Sequence, residues 1–505
     1  MMIHILEHLE QRAQQLPNKA ALVDEHQAMT FAQALETSQR IGSSLAISLA
    51  KGQPVAVYME KSVENLCAFW GILYAGGFYV SFNTQLPTSR LTQMQSVLQA
   101  PFVITDEEHR ADLEGVFPPH RILLYGDLVR GVVDHALLSQ IRQRHVDTDP
   151  LYANFTSGST GVPKAVVVGH RSTLDFIQHF CPTFSITQED VIANQAPFDF
   201  DVSVKDIYSA LATGATLVLV PRPLFSQPQQ LLDFLCEHRA TTLIWAVSAL
   251  CLITTVHGLD YRTPETVNKV LFSGEVMPAK HLKTWMEHLP QAQFVNLYGP
   301  TEITCNCTYH IIDRTRSYPD GIPMGQAFPN EHVFLLDGED QEITTANVVG
   351  EVCVRGSALA LGYYRNPEQT AKAFPNNPLN PCYPERIYRT GDLARYSPLG
   401  ELHFCGRKDF QIKHMGHRIE LEEIERAISN LPGVHRCCCV FHSEKHRLYA
   451  FYQGQMTSKE LRLQLLPTLP PYMIPNVFRQ VDQFPLNKNG KIDRTALLKG
   501  DGNHG

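Results

Sequence analysis

A chain of 505 residues is too long for one ordinary hydrophobic core, so at least two domains are expected. Its 44% hydrophobic and 19% charged residues are a globular composition, with no single residue type in marked excess. A formal charge of −8 argues against nucleic acid as a partner, because such footprints are ordinarily basic, and leaves room for a local basic pocket.

In chain order, Met1 to Glu10 alternates apolar residues with His and Glu and reads as an amphipathic helix, not a signal peptide. The longest apolar stretches, such as Thr216 to Val220, are strand-sized and too short to span a bilayer. No membrane partner is expected, and a cytoplasmic location is. Strands are predicted over Pro54–Met59 and Phe102–Thr105, with a helix over Val63–Ala75 between them. The alternation continues through strands at Ala165–Val168, Leu217–Val220, Thr242–Trp245 and Lys269–Phe272. Short β-rich runs bounded by helical stretches predict layered α/β structure with largely parallel sheets.

From Val333 the strands crowd together (Val333–Leu336, Gly350–Arg355), which suits a small β-barrel-like subdomain. After Gly406 the texture changes again, to a helix at Glu420–Ile428, strands at Val434–Phe441 and Leu448–Tyr452, and a helix at Lys459–Leu466. We therefore expect a large domain over 1–406 and a small mobile α+β domain over 407–505. Twelve cysteines without a secretory signal are expected to be free thiols. The run Cys437-Cys438-Cys439 lies in a predicted strand, where neighbours point to opposite faces, so it reads as structural and not as a metal site. Twenty-two scattered histidines with no HExxH give no sign of zinc catalysis.

The sharpest local feature is Thr156-Ser157-Gly158-Ser159-Thr160-Gly161-Val162-Pro163-Lys164, followed by a predicted strand. Glycines let backbone N–H groups converge on an anion, hydroxyls add donors, and the lysine adds a point charge. That suits a triphosphate, at a spacing that is not the GxxxxGK[ST] pattern.

This loop resembles the signature of the adenylate-forming (AMP-binding) enzyme superfamily, which includes acyl-CoA synthetases, luciferases and nonribosomal peptide adenylation domains. Further segments match that family in order along nearly the whole chain. These are Ala75-Gly76-Gly77-Phe78-Tyr79-Val80, Asn296-Leu297-Tyr298-Gly299-Pro300-Thr301-Glu302 and Tyr388-Arg389-Thr390-Gly391-Asp392-Leu393. Gly406-Arg407-Lys408-Asp409 resembles the hinge motif, and Leu469 to Pro475 and Asn489 to Arg494 match two closing motifs.

The resemblance implies ATP and Mg²⁺, and assigns roles to residues. Thr156 to Lys164 would hold the β- and γ-phosphates, Thr301 the α-phosphate, and Glu302 the Mg²⁺. Gly274 and Glu275 fall on the nucleotide side. Asp392 would accept from the ribose hydroxyls with Arg407 close by. Adenine would lie against Tyr298, beside Gly299, and Phe404, with Asn296 on its edge. Lys491 would bridge the substrate carboxylate and the α-phosphate, and Asp409 would be the hinge.

For the acid, Phe198-Asp199-Phe200-Asp201-Val202-Ser203 resembles the segment of amino-acid-activating members, with Asp201 aligned to pair the substrate ammonium. Asp199 is a competitor whose register fits worse. A fatty acid would leave such a carboxylate buried without a partner, at a cost of several kcal/mol. The family's pocket positions fall on Asp201, Val202, Lys205, Leu271, Ser273, Leu297, Cys305, Asn306 and Lys491, with one more near Ile244. Lys205, Ser273 and Asn306 suit a small or polar side chain, serine-like first; Lys205 could instead hold an acidic side chain or line the rim with its charge in water.

Phe272-Ser273-Gly274-Glu275-Val276-Met277-Pro278 and Arg418 to Glu425 look most like stand-alone peptide-synthetase adenylation proteins and D-alanine:D-alanyl carrier protein ligases. His414-Met415, Ser273 and Leu361 depart from the usual residues and weaken the D-alanine reading. No phosphopantetheine-attachment motif follows Arg494, so the acceptor thiol is expected on a separate carrier protein. The alternatives are an acyl-CoA synthetase for a non-amino acid, or a non-catalytic binder that keeps the fold.

Overall fold

The computed structural model describes residues 2–158, 162–442, 445–485 and 492–501. Their contacts divide the chain into two compact units. One comprises Met1–Thr84, Leu98–Asn154 and Ala165–Lys408; the other comprises Gln85–Val97, Phe155–Lys164 and Asp409–Gly505. Among the described residues no helix is long and apolar enough to cross a membrane.

The first unit is built on two large sheets. In one, a parallel block runs Gln293–Tyr298, Lys269–Ser273, Thr242–Ala246, Val191–Asn194, Thr216–Leu219 and Ala20–Val23. Antiparallel strands close its edges: Thr308–Ile311 and Gln326–Ala327 at one, Ala28–Thr30 at the other. The second sheet orders Gly362–Tyr363, Lys164–Gly169, Pro150–Thr156, Phe78–Ser81, Pro54–Tyr58, Phe102–Thr105 and Ile122–Leu124. Parallel strands covered on both faces need continuous apolar runs, and Pro54–Tyr58 and Thr242–Ala246 are buried throughout.

Helix Val63–Tyr74 is buried everywhere except Glu64, and the Ser62 hydroxyl caps it by accepting from Asn65 N. Thr30 and Gln33 form a capping box that starts helix Phe31–Ala46. The β-rich stretch is a four-stranded antiparallel sheet of Glu331–Leu336, Val349–Gly356, Tyr388–Tyr396 and Leu402–Arg407. It carries a bulge: Glu351 pairs Leu393 while Cys353 pairs Arg389, and Gly391 in between takes φ +73°.

Near the N-terminus three imidazoles gather, from His4, His145 and His170, with ring centroids 4.2 to 4.5 Å apart. They are the one His/Cys/Asp/Glu group among the described residues spaced to hold a metal. The hydrogen bonds argue against that use. Leu6 N donates to His4 Nδ1 at 3.2 Å and Ile5 N to His170 Nδ1 at 3.1 Å, which places each ring proton on Nε2 and leaves no lone pair for a cation.

Burial first, then neighbouring positive groups, holds His4 and His170 well below the usual histidine value, and His8 is pushed down to about 4. The unfolded chain therefore takes up protons that the folded chain refuses. Stability is expected to be full above the ordinary value of about 6.5 and to decline as pH falls from there toward 4. Thermal melts from pH 8 to 4 check this, and His170→Gln should flatten the decline. An unchanged slope in that variant would assign the acid sensitivity elsewhere.

The second unit packs helices Leu421–Ser429 and Ser458–Leu465 around the sheet of Val434–His442, Arg447–Gly454 and Val477–Gln480. A Thr457–Glu460 capping box opens the second helix. Cys437 and Cys439 face one apolar cluster and Cys438 another, as strand alternation requires. All twelve cysteines are free thiols.

Candidate active site

In open α/β sheets ligands collect at the carboxyl ends of parallel strands, and several candidate residues of the first unit sit there. Strand Lys269–Ser273 delivers Ser273, then Gly274 at φ +99°. Strand Gln293–Tyr298 delivers Tyr298, after which the chain doubles back tightly. A Cβ on Gly299 would lie 2.5 Å from Asn306 Cα and 2.7 Å from Cys305 O, so only glycine permits the approach. The return passes through Thr304 (φ 50°) and Cys305 (φ 75°), both left-handed and neither glycine. Three bonds hold this strained turn: Cys307 N to Tyr298 O (2.8 Å), Asn306 N to Thr304 O (3.0 Å) and Thr304 Oγ1 to Ala358 O (2.7 Å).

The turn brings Asn306 to helix Val202–Thr213. Lys205 Nζ donates to Asn306 Oδ1 at 2.8 Å and to Ser273 Oγ at 3.3 Å. With 1% of its surface exposed, Lys205 does not hold its charge in water at a rim. Asp201, one helical turn earlier, is buried, and its carboxylate does not cap the helix. Cys305 Sγ reaches Asp201 O at 3.2 Å, and burial, then the Asp201 charge, pushes this thiol well above its ordinary value. Val202 is buried beside Asp201, while Leu271, Leu297 and Ile244 belong to the large apolar core of the unit.

Two groups that sequence reasoning missed are Asp206, on this same helix, and Lys61. Asp206 is fully buried; Asn194 Nδ2 donates to its Oδ2 at 2.6 Å, and Lys61 Nζ donates to Asn194 Oδ1 at 3.2 Å. Burial pushes Asp206 up to about 7 and Lys61 down to about 7. A second charged residue directly after Lys205, in a stretch that is otherwise mostly uncharged, was the available signal for Asp206. Nothing local marks Lys61, whose partner lies 133 residues away.

The nucleotide-side candidates form a second group. Thr301 and Glu302 open a short 3₁₀ turn. Glu302 is 0% exposed, and its Oε1 accepts from Tyr363 Oη at 2.8 Å. A buried, acceptor-only carboxylate is the kind of hard oxygen donor that Mg²⁺ selects, so the residues present fit that ion. Asp392 pairs in register with Arg407 across adjacent strands. Its Oδ1 meets the Arg407 guanidinium and its Oδ2 accepts from Tyr298 Oη at 2.5 Å. Burial, then the Asp392 charge, holds the Tyr298 phenol well above its usual value. Asn296 Nδ2 donates to Pro323 O at 2.9 Å, and Phe404 is 42% exposed on the strand that ends at Arg407. Glu275 is half-buried beside Gly274.

The loop Phe155–Lys164 groups with the second unit. There Ser157 Oγ donates to Arg418 O at 2.9 Å and accepts from Glu420 N at 3.2 Å, so this hydroxyl is engaged with backbone. Thr156 Oγ1 is buried with no hydrogen-bond partner among the described residues. Gly158 is buried, Lys164 half-buried, and Asp409 heads the C-terminal stretch of the unit, where its Oδ1 accepts from Gln411 N at 3.2 Å. Ser159, Thr160, Gly161 and Lys491 lie outside the described residues.

The chain is 31% identical over 500 residues to tyrocidine synthase 3 of Brevibacillus parabrevis, covering 97% of this chain and 7% of that one. It is 30% identical over 498 residues to bacitracin synthase 1 of Bacillus licheniformis, covering 97% and 9%. It thus spans less than a tenth of the length of either relative. Among solved structures it matches IdnL1 at a TM-score of 0.79 and 28% identity, covering 96% of this chain and 98% of that one. It also matches holo-PA1221, described as a nonribosomal peptide synthetase protein containing adenylation and PCP domains, at a TM-score of 0.82 and 24% identity, covering 98% and 84%. The family model for AMP-binding enzymes matches residues 9–364, and the one for their C-terminal domain residues 423–491. On this combined match of sequence and fold, the chain belongs to the AMP-binding (adenylate-forming) enzyme family.

Proposed function

We propose that the chain activates the carboxylate of an amino acid with ATP and passes the aminoacyl group to the phosphopantetheine thiol of a separate carrier protein. The observation that carries this reading is the buried Asp201 carboxylate, one helical turn from the Lys205–Ser273–Asn306 cluster. A carboxylate there offers a charge partner to a substrate ammonium. The relatives named as tyrocidine and bacitracin synthases support the same reading.

In the first step a carboxylate oxygen attacks the α-phosphorus, the bond to the bridging oxygen breaks, and pyrophosphate leaves. Asp201 orients the substrate through its ammonium. Asp392 accepts from the ribose, braced by Tyr298 and Arg407. Phe404 and Tyr298 flank the base, with Asn296 at its edge. Thr156 to Lys164 cradles the terminal phosphates, with Thr156 Oγ1 an unspent donor. Thr301 bonds the α-phosphate, and Glu302 would hold Mg²⁺, whose charge, when bound, would neutralise the phosphate oxygens. Lys491 bridges the two anions that must meet. In the second step the carrier's thiolate attacks the acyl carbonyl and AMP leaves, with Asp409 as the hinge between the steps. The Lys205–Ser273–Asn306 cluster favours a small or polar side chain, serine-like first.

Amino-acid-dependent ATP–pyrophosphate exchange across the common L- and D-amino acids tests the reading. We expect exchange with at least one small or polar amino acid. Silence across the whole panel, with ATP still bound, would sink the amino-acid reading. Lys491→Ala should lower exchange by about 10² to 10³-fold while sparing ATP binding and melting temperature. Loss of stability in place of rate would deny Lys491 its role.

A further inference from the structure

Glu351 carries none of the roles assigned above, yet it is buried and gathers donors from three places. Its Oε2 accepts from Arg389 (Nε 2.8 Å, Nη2 2.7 Å) and from Lys408 Nζ at 2.9 Å; its Oε1 accepts from Gly391 N at 3.2 Å. Arg389 uses its remaining arm on Asp340 Oδ1 at 2.7 Å. The peptide of Gly391 is held at both ends, since its carbonyl accepts from Lys408 N at 2.9 Å.

Two consequences follow from this wiring. Gly391 sits in the bulge of strand Tyr388–Tyr396, and the next residue is Asp392, whose carboxylate grips Arg407 and Tyr298. The bulge leaves Gly391 N outside the regular ladder, and a buried N–H without an acceptor is costly, so Glu351 supplies what the ladder cannot. The same carboxylate holds Lys408, the last residue of the first unit before the chain enters the second. One buried anion therefore anchors the turn that presents Asp392 and the final residue before Asp409.

We propose that Glu351 is a positioning residue that couples nucleotide binding at Asp392 to the mobility of the chain at Lys408. It touches no reacting atom and acts through Gly391 and Lys408. This rests on the proposed nucleotide role of Asp392. Nucleotide that tightens Asp392 also tightens the Gly391 peptide, and the tightening reaches Lys408 by two routes, its amide and its ammonium. Binding of this kind is reciprocal, so a looser Lys408 weakens nucleotide binding in turn.

The test uses the full chain, AMP as the probe, calorimetry for affinity, and hydrogen exchange of the 405–412 segment. In the parent protein AMP should bind and slow exchange at the Lys408 amide. Glu351→Gln should weaken AMP about tenfold or more, the scale of a buried charge-assisted hydrogen bond, and markedly reduce the AMP-dependent slowing. Lys408→Met, a partly exposed site, should keep AMP affinity within about threefold and show reduced slowing; it still decides if Glu351→Gln fails to fold. Asp340→Asn, which removes the other partner of Arg389, should behave as the parent. A general structural defect would lower melting temperature without removing the ligand-dependent part of the exchange. The inference fails if AMP slows exchange as fully in Glu351→Gln, or in Lys408→Met where the former is unfolded, as in the parent. If the parent itself binds no AMP, the nucleotide reading of Asp392 has failed instead.

Discussion

Glutamine in place of Glu302 is expected to leave the fold intact and to lower ATP–pyrophosphate exchange by about 10³-fold, the scale of several kcal/mol of lost charge stabilisation. The side chain is fully buried and its Oε1 accepts from Tyr363 Oη. Glutamine keeps that oxygen and the shape, so the Tyr363 contact and the packing persist. The anionic charge that suits Mg²⁺ is lost. Tyr363→Phe separates the two functions of the site: it removes the hydrogen bond, spares the charge, and should cost about 1.5–3 kcal/mol of stability with a small effect on rate. Exchange assays over a range of Mg²⁺ concentrations check both. Near-parental exchange by Glu302→Gln at every Mg²⁺ concentration would remove Glu302 from the metal site.

The second large effect concerns Asp201. Asp201→Ala should lower amino-acid-dependent exchange by about 10² to 10³-fold, because a substrate ammonium would then be buried with no partner at a cost of about 3–5 kcal/mol. The desamino acid of the same substrate should gain relative to the amino acid, since it brings no ammonium that needs the Asp201 carboxylate as its charge partner. The ratio of the two activities is the measurement. Parental discrimination in the variant would shift the role to Asp199, whose carboxylate accepts from Asn83 Nδ2 at 3.3 to 3.4 Å, or refute an amino acid altogether.

Much of the architecture was legible in the chain because its signals are local. The strand read over Phe102–Thr105 has the same limits in the structure, and the helix read over Val63–Ala75 spans Val63–Tyr74. Strand alternation alone separated Cys438 from Cys437 and Cys439. What stayed hidden depends on partners distant in sequence. Ser157 reads locally as a phosphate donor, yet its hydroxyl meets the backbone of a hairpin 261 residues on. Lys205 allowed a solvated reading until Asn306, 101 residues away, gave its ammonium a buried acceptor. Glu351 is one acidic residue in a strand pattern, and only the bulge opposite explains why it is buried. Leu271 and Leu297 carry no local mark that would distinguish pocket from core, and they lie in the apolar cluster.

The left-handed pair Thr304 and Cys305 bears on how this protein could be engineered. Each holds a backbone conformation costing about 1–3 kcal/mol for a residue with a side chain. Glycine at either position would relieve that strain but delete a buried side chain, the Thr304 hydroxyl bonded to Ala358 O or the Cys305 thiol of the apolar core, so the exchange gives no gain in heat resistance. Such a variant would also lose the stiffness that fixes Asn306 against Lys205 and Cys305 against Asp201. Selections for stability on this scaffold are therefore better aimed away from this turn, and any variant within it should be counter-screened for selectivity.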